Sequence, residues 1–131
     1  MSNAKGRRLK IMILEDEEDI LILYKDYLSG RGHEVVSTYL TANNVLSEFG
    51  EKFPDVCLVD YRLPGKTNGL DAATEILNKF PSMPILFITA YEPLVREIKL
   101  NPFLEDKKIS VLVKPVMLEE IEKTMTNLVN A

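Results

Sequence analysis

Short apolar runs alternate with amphipathic stretches along this chain, and the alternation repeats five times. Residues 9–14 (LKIMIL) are apolar, partly β-branched and end abruptly in acid, which predicts a strand. Over 19–29, Ile20, Leu23, Tyr24, Tyr27 and Leu28 recur at i, i+3, i+4, i+7 and i+8 and predict one helix face; Gly30 and Gly32 stop that helix. Residues 34–39 predict a second strand. Val45, Leu46 and Phe49 predict a helix capped by Thr41 or Asn43 and ending near Gly50. Residues 56–59 (VCLV) predict a third strand, closed by Asp60, and 63–68, with Pro64, Gly65 and Asn68, read as a loop. Leu70, Ala73, Ile76, Leu77 and Phe80 mark a helix over 70–80, followed by Pro81. A fourth strand spans 84–88 and ends at Thr89-Ala90; a shorter helix over 93–100 is limited by Pro102. The fifth strand, 109–113, ends at Lys114-Pro115, and Leu118, Ile121, Met125, Leu128 and Val129 form the inner face of a last helix.

Strands alternating with helices imply parallel pairing, with right-handed crossovers covering both faces of the sheet. The apolar runs lack strict alternation, as strands buried on both sides should. The expected fold is α/β: a doubly wound, five-stranded parallel sheet with its binding crevice at the carboxyl ends of the strands, where the strand order reverses. The length of 131 residues fits one domain with a core that needs no disulfide or metal staple. Residues 9–131 are taken as that domain. Residues 1–8 are taken as an N-terminal arm or an expression scar, because of Ser2-Asn3-Ala4.

Composition narrows the function. A net charge of −4 gives no hint of a phosphate-backbone binder, and the basic cluster Lys5, Arg7, Arg8, Lys10 reads as a solvated arm. Cys57 is the one thiol, so no intramolecular disulfide forms and a reducing compartment fits. No apolar run approaches the roughly 18 residues of a membrane span, and no signal peptide leads the chain. A cytoplasmic location, without direct contact to nucleic acid or membrane, is expected.

The chemistry lies just past the strands. Glu15 and Asp16 follow the first, Asp60 the third, Thr89 and Ala90 the fourth, Lys114 and Pro115 the fifth. A parallel sheet gathers these ends along one edge. Three carboxylates there repel one another as bare anions, and a hard dication removes the difficulty. Oxygen donors suit Mg2+, whereas zinc would want His or Cys. A magnesium beside a carboxylate nucleophile and a lysine suits phosphoryl transfer. Asp60 stands alone at the central strand end and is the candidate nucleophile; Thr89 could hydrogen-bond a phosphoryl oxygen.

The segments IMILEDEED (11–19), VCLVDYRLPG (56–65), ILFITAY (85–91) and VLVKP (111–115) together resemble the response-regulator receiver family, over about residues 9 to 128. The resemblance implies a flavodoxin-like (βα)5 sheet of order 2-1-3-4-5 and a two-component phosphorelay role. It implies that Asp60 takes a phosphoryl group from the phosphohistidine of a sensor histidine kinase or phosphotransfer protein. It further implies that Asp16 binds Mg2+ directly, that Glu15 holds it through water and that the Arg62 backbone carbonyl adds a ligand. Thr89 would contact the phosphoryl group and draw its loop inward, Lys114 would pair with the phosphoryl group or otherwise with Asp60, and Pro115 would hold its loop, with a cis bond as one form.

Three positions depart from the family. Val111 stands where an aromatic ring usually swings with the hydroxyl residue, with Tyr91 as the candidate substitute; Val116 replaces a frequent Phe; and the loop from Asp60 to Gly69 is one residue longer than common. Arg62 and Tyr91 occupy positions that in the family can shield the phosphoryl group, so the resemblance implies slow autodephosphorylation. Such a chain is a switch and not a turnover enzyme. A downstream protein target or a missing output domain is expected, and homodimerisation stays open. The alternative is a pseudo-receiver, a protein-interaction module that is never phosphorylated. A haloacid-dehalogenase-type phosphatase ranks low, because it wants an acid where Arg62 stands. Blander roles fall to Glu17, Glu18 and Asp19 as first-turn acids, to Cys57, Met12 and Met125 as core, to Tyr24 and Tyr27 as helix packing, and to His33 as a loop side chain.

Overall fold

The computed structural model describes residues 8–63 and 67–131. Five strands pair side by side, all parallel: β1 (Lys10–Leu14), β2 (Glu34–Tyr39), β3 (Val56–Val59), β4 (Ile85–Thr89) and β5 (Ile109–Val113). Their order is β2-β1-β3-β4-β5, the doubly wound order expected. Among the described residues four helices connect them, α1 (Glu18–Gly30), α2 (Val45–Phe49), α3 (Gly69–Lys79) and α4 (Leu94–Lys99), with a 3-10 turn at Pro102–Leu104, and α5 (Leu118–Asn130) follows β5.

Successive strand residues point to opposite faces, and here both faces are apolar. Met12, Leu14, Cys57, Val59, Ile85 and Phe87 pack on Val45, Phe49, Ala73, Ile76, Leu77 and Leu94. Ile11, Ile13, Val56, Leu58, Leu86 and Ile88 pack on Leu21, Tyr24, Leu28, Ile121, Met125 and Leu128 of α1 and α5. The central strands are therefore buried on both sides, and the edge strands β2 and β5 are only half-buried. Among the described residues no helix is long and apolar enough to cross a membrane.

Four local readings change. On α1 the buried residues are Leu21, Tyr24 and Leu28, while Leu23 is 50% exposed. The run ILIL makes that helix apolar nearly all round at its start, so its period alone does not fix the inner face. The N-cap of α2 is Asn44, in the left-handed region at φ 66°, and not Thr41 or Asn43. Asn tolerates that conformation, and the Thr41 hydroxyl instead accepts from the Asn43 amide at 3.2 Å. Asn68, expected within the loop, caps α3: its Oδ1 accepts from the Asp71 amide at 2.8 Å, and Asp71 Oδ2 accepts from the Asn68 amide at 3.3 Å. The rest of that loop, Pro64, Gly65 and Lys66, lies outside the described residues, as do residues 1–7 of the N-terminal arm; Arg8 pairs with Glu34 at 3.7 Å.

The fourth reading is extended at His33, which lies in the loop between α1 and β2, as expected, and is buried there. Its Nδ1 accepts from the Leu9 amide at 3.2 Å, so the ring proton belongs on Nε2, which reaches Glu122 Oε2 at 2.9 Å. Arg31 Nε donates to the other Glu122 oxygen at 2.8 Å. The imidazole thus joins the start of β1 to α5, and its chain neighbours gave no sign of that. His33→Phe keeps the bulk but strips the Leu9 amide of its acceptor and Glu122 of one donor. A loss of about 1–3 kcal/mol is expected in urea unfolding; an unchanged midpoint would show the two bonds to be energetically idle.

Candidate functional site

β1 and β3 are neighbours, with Leu14 opposite Val59, so the residues that follow them emerge side by side. The Asp60 amide donates to the Leu14 carbonyl at 2.9 Å, and the Glu15 amide donates to the Tyr39 carbonyl at 3.0 Å. Pairing of the sheet thereby pins both acids at one edge. Carboxylate oxygens of Glu15, Asp16 and Asp60 lie within 4.8 Å of one another. Glu15 and Asp60 are buried, and Asp16 is exposed.

Burial dominates the electrostatics. Glu15 is pushed up to about 7, first by desolvation and further by the Asp60 charge, against the pull of the Glu17 amide and of Lys114. Asp60 is also raised, first by desolvation and then by Asp16, while Lys114 and the amides of Arg62 and Tyr61 draw it down. Lys114 comes from the end of β5 and closes the cluster. Its Nζ donates to Glu15 Oε1 at 3.2 Å and stands 4.0 Å from Asp60 Oδ2. It thus pairs with Asp60, as expected, but its shorter contact is with Glu15. Glu15 Oε2 accepts from the Glu17 amide at 3.1 Å, so both Glu15 oxygens are engaged.

Thr89, at the end of β4, is fully buried. Its Oγ1 accepts from the Tyr91 amide at 3.0 Å, which leaves the hydroxyl hydrogen to donate. Ala90 is exposed beside it. The Lys114-Pro115 bond is cis. Val111 is half-buried in the core that also holds Tyr61 and Tyr91. Arg62 is exposed, with its guanidinium carbon 5.0 Å from the centroid of the Tyr91 ring.

Three residues at this edge escaped the sequence reading. Tyr61 stacks on Tyr91 at 4.7 Å between centroids and 9° between planes. Gly69 approaches so closely that a Cβ would run into the Asp60 carbonyl oxygen and stand 2.8 Å from its carbon. The dipeptide Asn68-Gly69 ahead of an apolar periodic run was the available signal. Tyr24 of α1, read only as packing, also feels the site: burial raises its hydroxyl first, and the charges of Glu15 and Asp60 add to that.

The donor set is all oxygen, with neither His nor Cys among the three clustered residues. It fits a hard dication such as Mg2+, which takes carboxylates and keeps several waters. Such an ion would relieve the charge repulsion that adds to burial in holding Glu15 and Asp60 above their usual range.

A family model described as the response regulator receiver domain matches residues 11–126. The chain is 25% identical over 115 residues to the luminescence regulatory protein LuxO of Vibrio campbellii, covering 88% of this chain and 24% of that protein. It is 35% identical over 89 residues to the phyllosphere-induced regulator PhyR of Methylorubrum extorquens, covering 67% of this chain and 33% of that one. The chain thus spans between a quarter and a third of the length of these curated relatives. Among solved structures, the response regulator PhyR from Brucella abortus matches with a TM-score of 0.80 and 25% identity, covering 98% of this chain and 51% of that one. A CheY-like receiver domain protein from Methanospirillum hungatei matches with a TM-score of 0.79 over 95% of both chains; at 22% identity that likeness shows the fold alone.

The raised Glu15 makes stability fall with pH. The unfolded carboxyl releases its proton near 4.5, and the folded one holds it to about 7. Its contribution is therefore complete below 4.5 and is lost as the pH climbs to about 7. In a chelator, the melting temperature of Glu15→Gln should gain on that of the wild type across this window. A difference between the two proteins that does not vary with pH would refute the assignment.

Proposed function

The chain belongs to the response regulator receiver domain family, and from that premise we propose that it is a phosphorylation switch whose acceptor is Asp60. One juxtaposition carries the reading: three carboxylates within 4.8 Å of one another, with the Lys114 ammonium 4.0 Å from Asp60 Oδ2. Carboxylates form acyl phosphates when charge on the incoming group is neutralised. An Asp60 oxygen attacks the phosphorus of a phosphohistidine on a sensor histidine kinase or phosphotransfer protein. The new O–P bond forms as the P–N bond breaks, and the departing imidazole keeps the bond pair and takes a proton from solvent.

Lys114 neutralises the equatorial oxygens, and the Thr89 hydroxyl donates its remaining hydrogen to one of them. Asp16, Asp60 and the Arg62 carbonyl would hold Mg2+. Glu15, with both oxygens already engaged, suits an outer role through water. The bound ion would supply positive charge to offset that of the transferred group. Pro115 and Ala90 shape the flanking loops. The ring of Tyr91 and the guanidinium of Arg62, which lie together, suit slow loss of the phosphoryl group to water. The switch acts by favouring one conformation for a downstream protein target, in the cytoplasm, and is no turnover enzyme.

With acetyl phosphate and Mg2+, intact mass should rise by one phosphoryl group in the wild type and not in Asp60→Asn. No addition with any donor would leave the unphosphorylated interaction module as the better reading. Mg2+ should also stabilise the fold by mass action, by about 2–3 kcal/mol at a hundredfold excess over Kd. That gain should shrink below pH about 7, where Glu15 takes up its proton, and should largely vanish in Asp16→Asn. A melting temperature indifferent to Mg2+ would remove the metal from the proposal.

A further inference from the structure

Tyr91 is the most connected residue of the loop after β4. Its amide donates to Thr89 Oγ1 at 3.0 Å, and its carbonyl accepts from the Leu94 amide at 3.2 Å. Its hydroxyl donates to Glu97 Oε2, inside α4, at 2.7 Å. One face of its ring is stacked on Tyr61, and the Arg62 guanidinium lies 5.0 Å from its centroid. Tyr61 is the residue next to the acceptor, and it is fixed from behind. Its carbonyl accepts from the Gly69 amide at 2.7 Å, and its hydroxyl accepts from Asn68 Nδ2 at 3.4 Å, both at the start of α3. The near-parallel stack therefore joins a base anchored on α3 to a ring wired into Thr89 and α4. On β5, Val111 offers no ring that could carry such a link.

We infer that Tyr61 is a positioning residue: its stack on Tyr91 couples the Asp60 loop to Thr89 and to α4, so that a change at the acceptor reaches α4 through two tyrosine rings. The coupling rests on the reading of Asp60 as phosphoryl acceptor for its use, but the contacts themselves exist without it. An aromatic stack attracts beyond its buried area, and that attraction biases the opening of a short, lightly anchored segment. Tyr61→Phe keeps the stack and gives up the weak bond from Asn68. Tyr61→Leu removes the ring.

Amide hydrogen exchange on the full, unmodified chain tests the link directly. Tyr61→Phe should hold the Tyr91 amide within about twofold of the wild type, and Tyr61→Leu should speed exchange at Tyr91 and along α4 about tenfold, with Cys57 in β3 unchanged. Equal exchange in all three proteins overturns the inference. So does a loss of protection that spreads to Cys57, because that reports general destabilisation. The same proteins are then treated with acetyl phosphate and Mg2+. Uptake of one phosphoryl group should alter exchange along α4 in the wild type and in Tyr61→Phe. In Tyr61→Leu the group should still be taken up while the α4 response is lost, and a response that survives there overturns the coupling. A wild type that takes up no phosphoryl group sinks the acceptor reading instead, and the link then stands or falls on the unmodified exchange.

Discussion

Two adjacent parallel strands that end in acid cannot keep those acids apart. Leu14 sits opposite Val59 in the ladder, and the next residues, Glu15 and Asp60, are each tied by their amides to the neighbouring strand. Parallel strands lie about 4.8 Å apart, so the separation of the carboxylates is set by the sheet and not by side-chain choice. Both are buried, and both are raised above the usual carboxylate range. The fold holds this unfavourable group in place because the apolar cores on its two faces supply the stability elsewhere. Lys114 offsets part of the repulsion from inside the protein, and the remainder is an electrostatic demand that a cation can meet.

This constraint explains why the lysine rests where it does. Glu15 is the more enclosed acid, at 2% exposed against 7% for Asp60, and an unpaired charge costs most where water is scarcest. The ammonium accordingly sits closer to Glu15 than to Asp60. Asp60 keeps one side less committed, with the Tyr61 and Arg62 amides as its further support. The proposed acceptor role needs that availability, and a charge that only holds the site together does not.

The parallel sheet and the gathering of Glu15, Asp16, Asp60 and Lys114 were legible because each depends on strand ends, which apolar runs mark directly; the strand order came only with the family resemblance. What stayed hidden depends on distances between elements. Leu21 and Leu23 are equally apolar, and only the docking of α1 decides which is buried. His33 follows the Gly30-Arg31-Gly32 turn in sequence and shows its role only when α5 brings Glu122 to it. Gly69 reads as a helix start, yet its lack of a side chain serves the Asp60 carbonyl. Tyr61 reads merely as the residue after Asp60, since nothing in the chain order reveals that it faces Tyr91, thirty positions on.

The two loops beside Asp60 are held in different ways. The loop after β3 returns to α3 through the Gly69 amide and a reciprocal Asn68–Asp71 cap. The loop after β4 leads into α4, which buries Leu94 alone, whereas α1 and α5 each bury three side chains and α3 buries Gly69, Ala72, Ala73, Ile76 and Leu77. Local opening is easiest where the least apolar surface is buried. Any rearrangement driven from Asp60 is therefore resisted on the α3 side and accommodated on the α4 side. The Tyr61–Tyr91 stack lies at the boundary between the two, the place where a small displacement at a stiff element becomes a larger one in a loosely held helix.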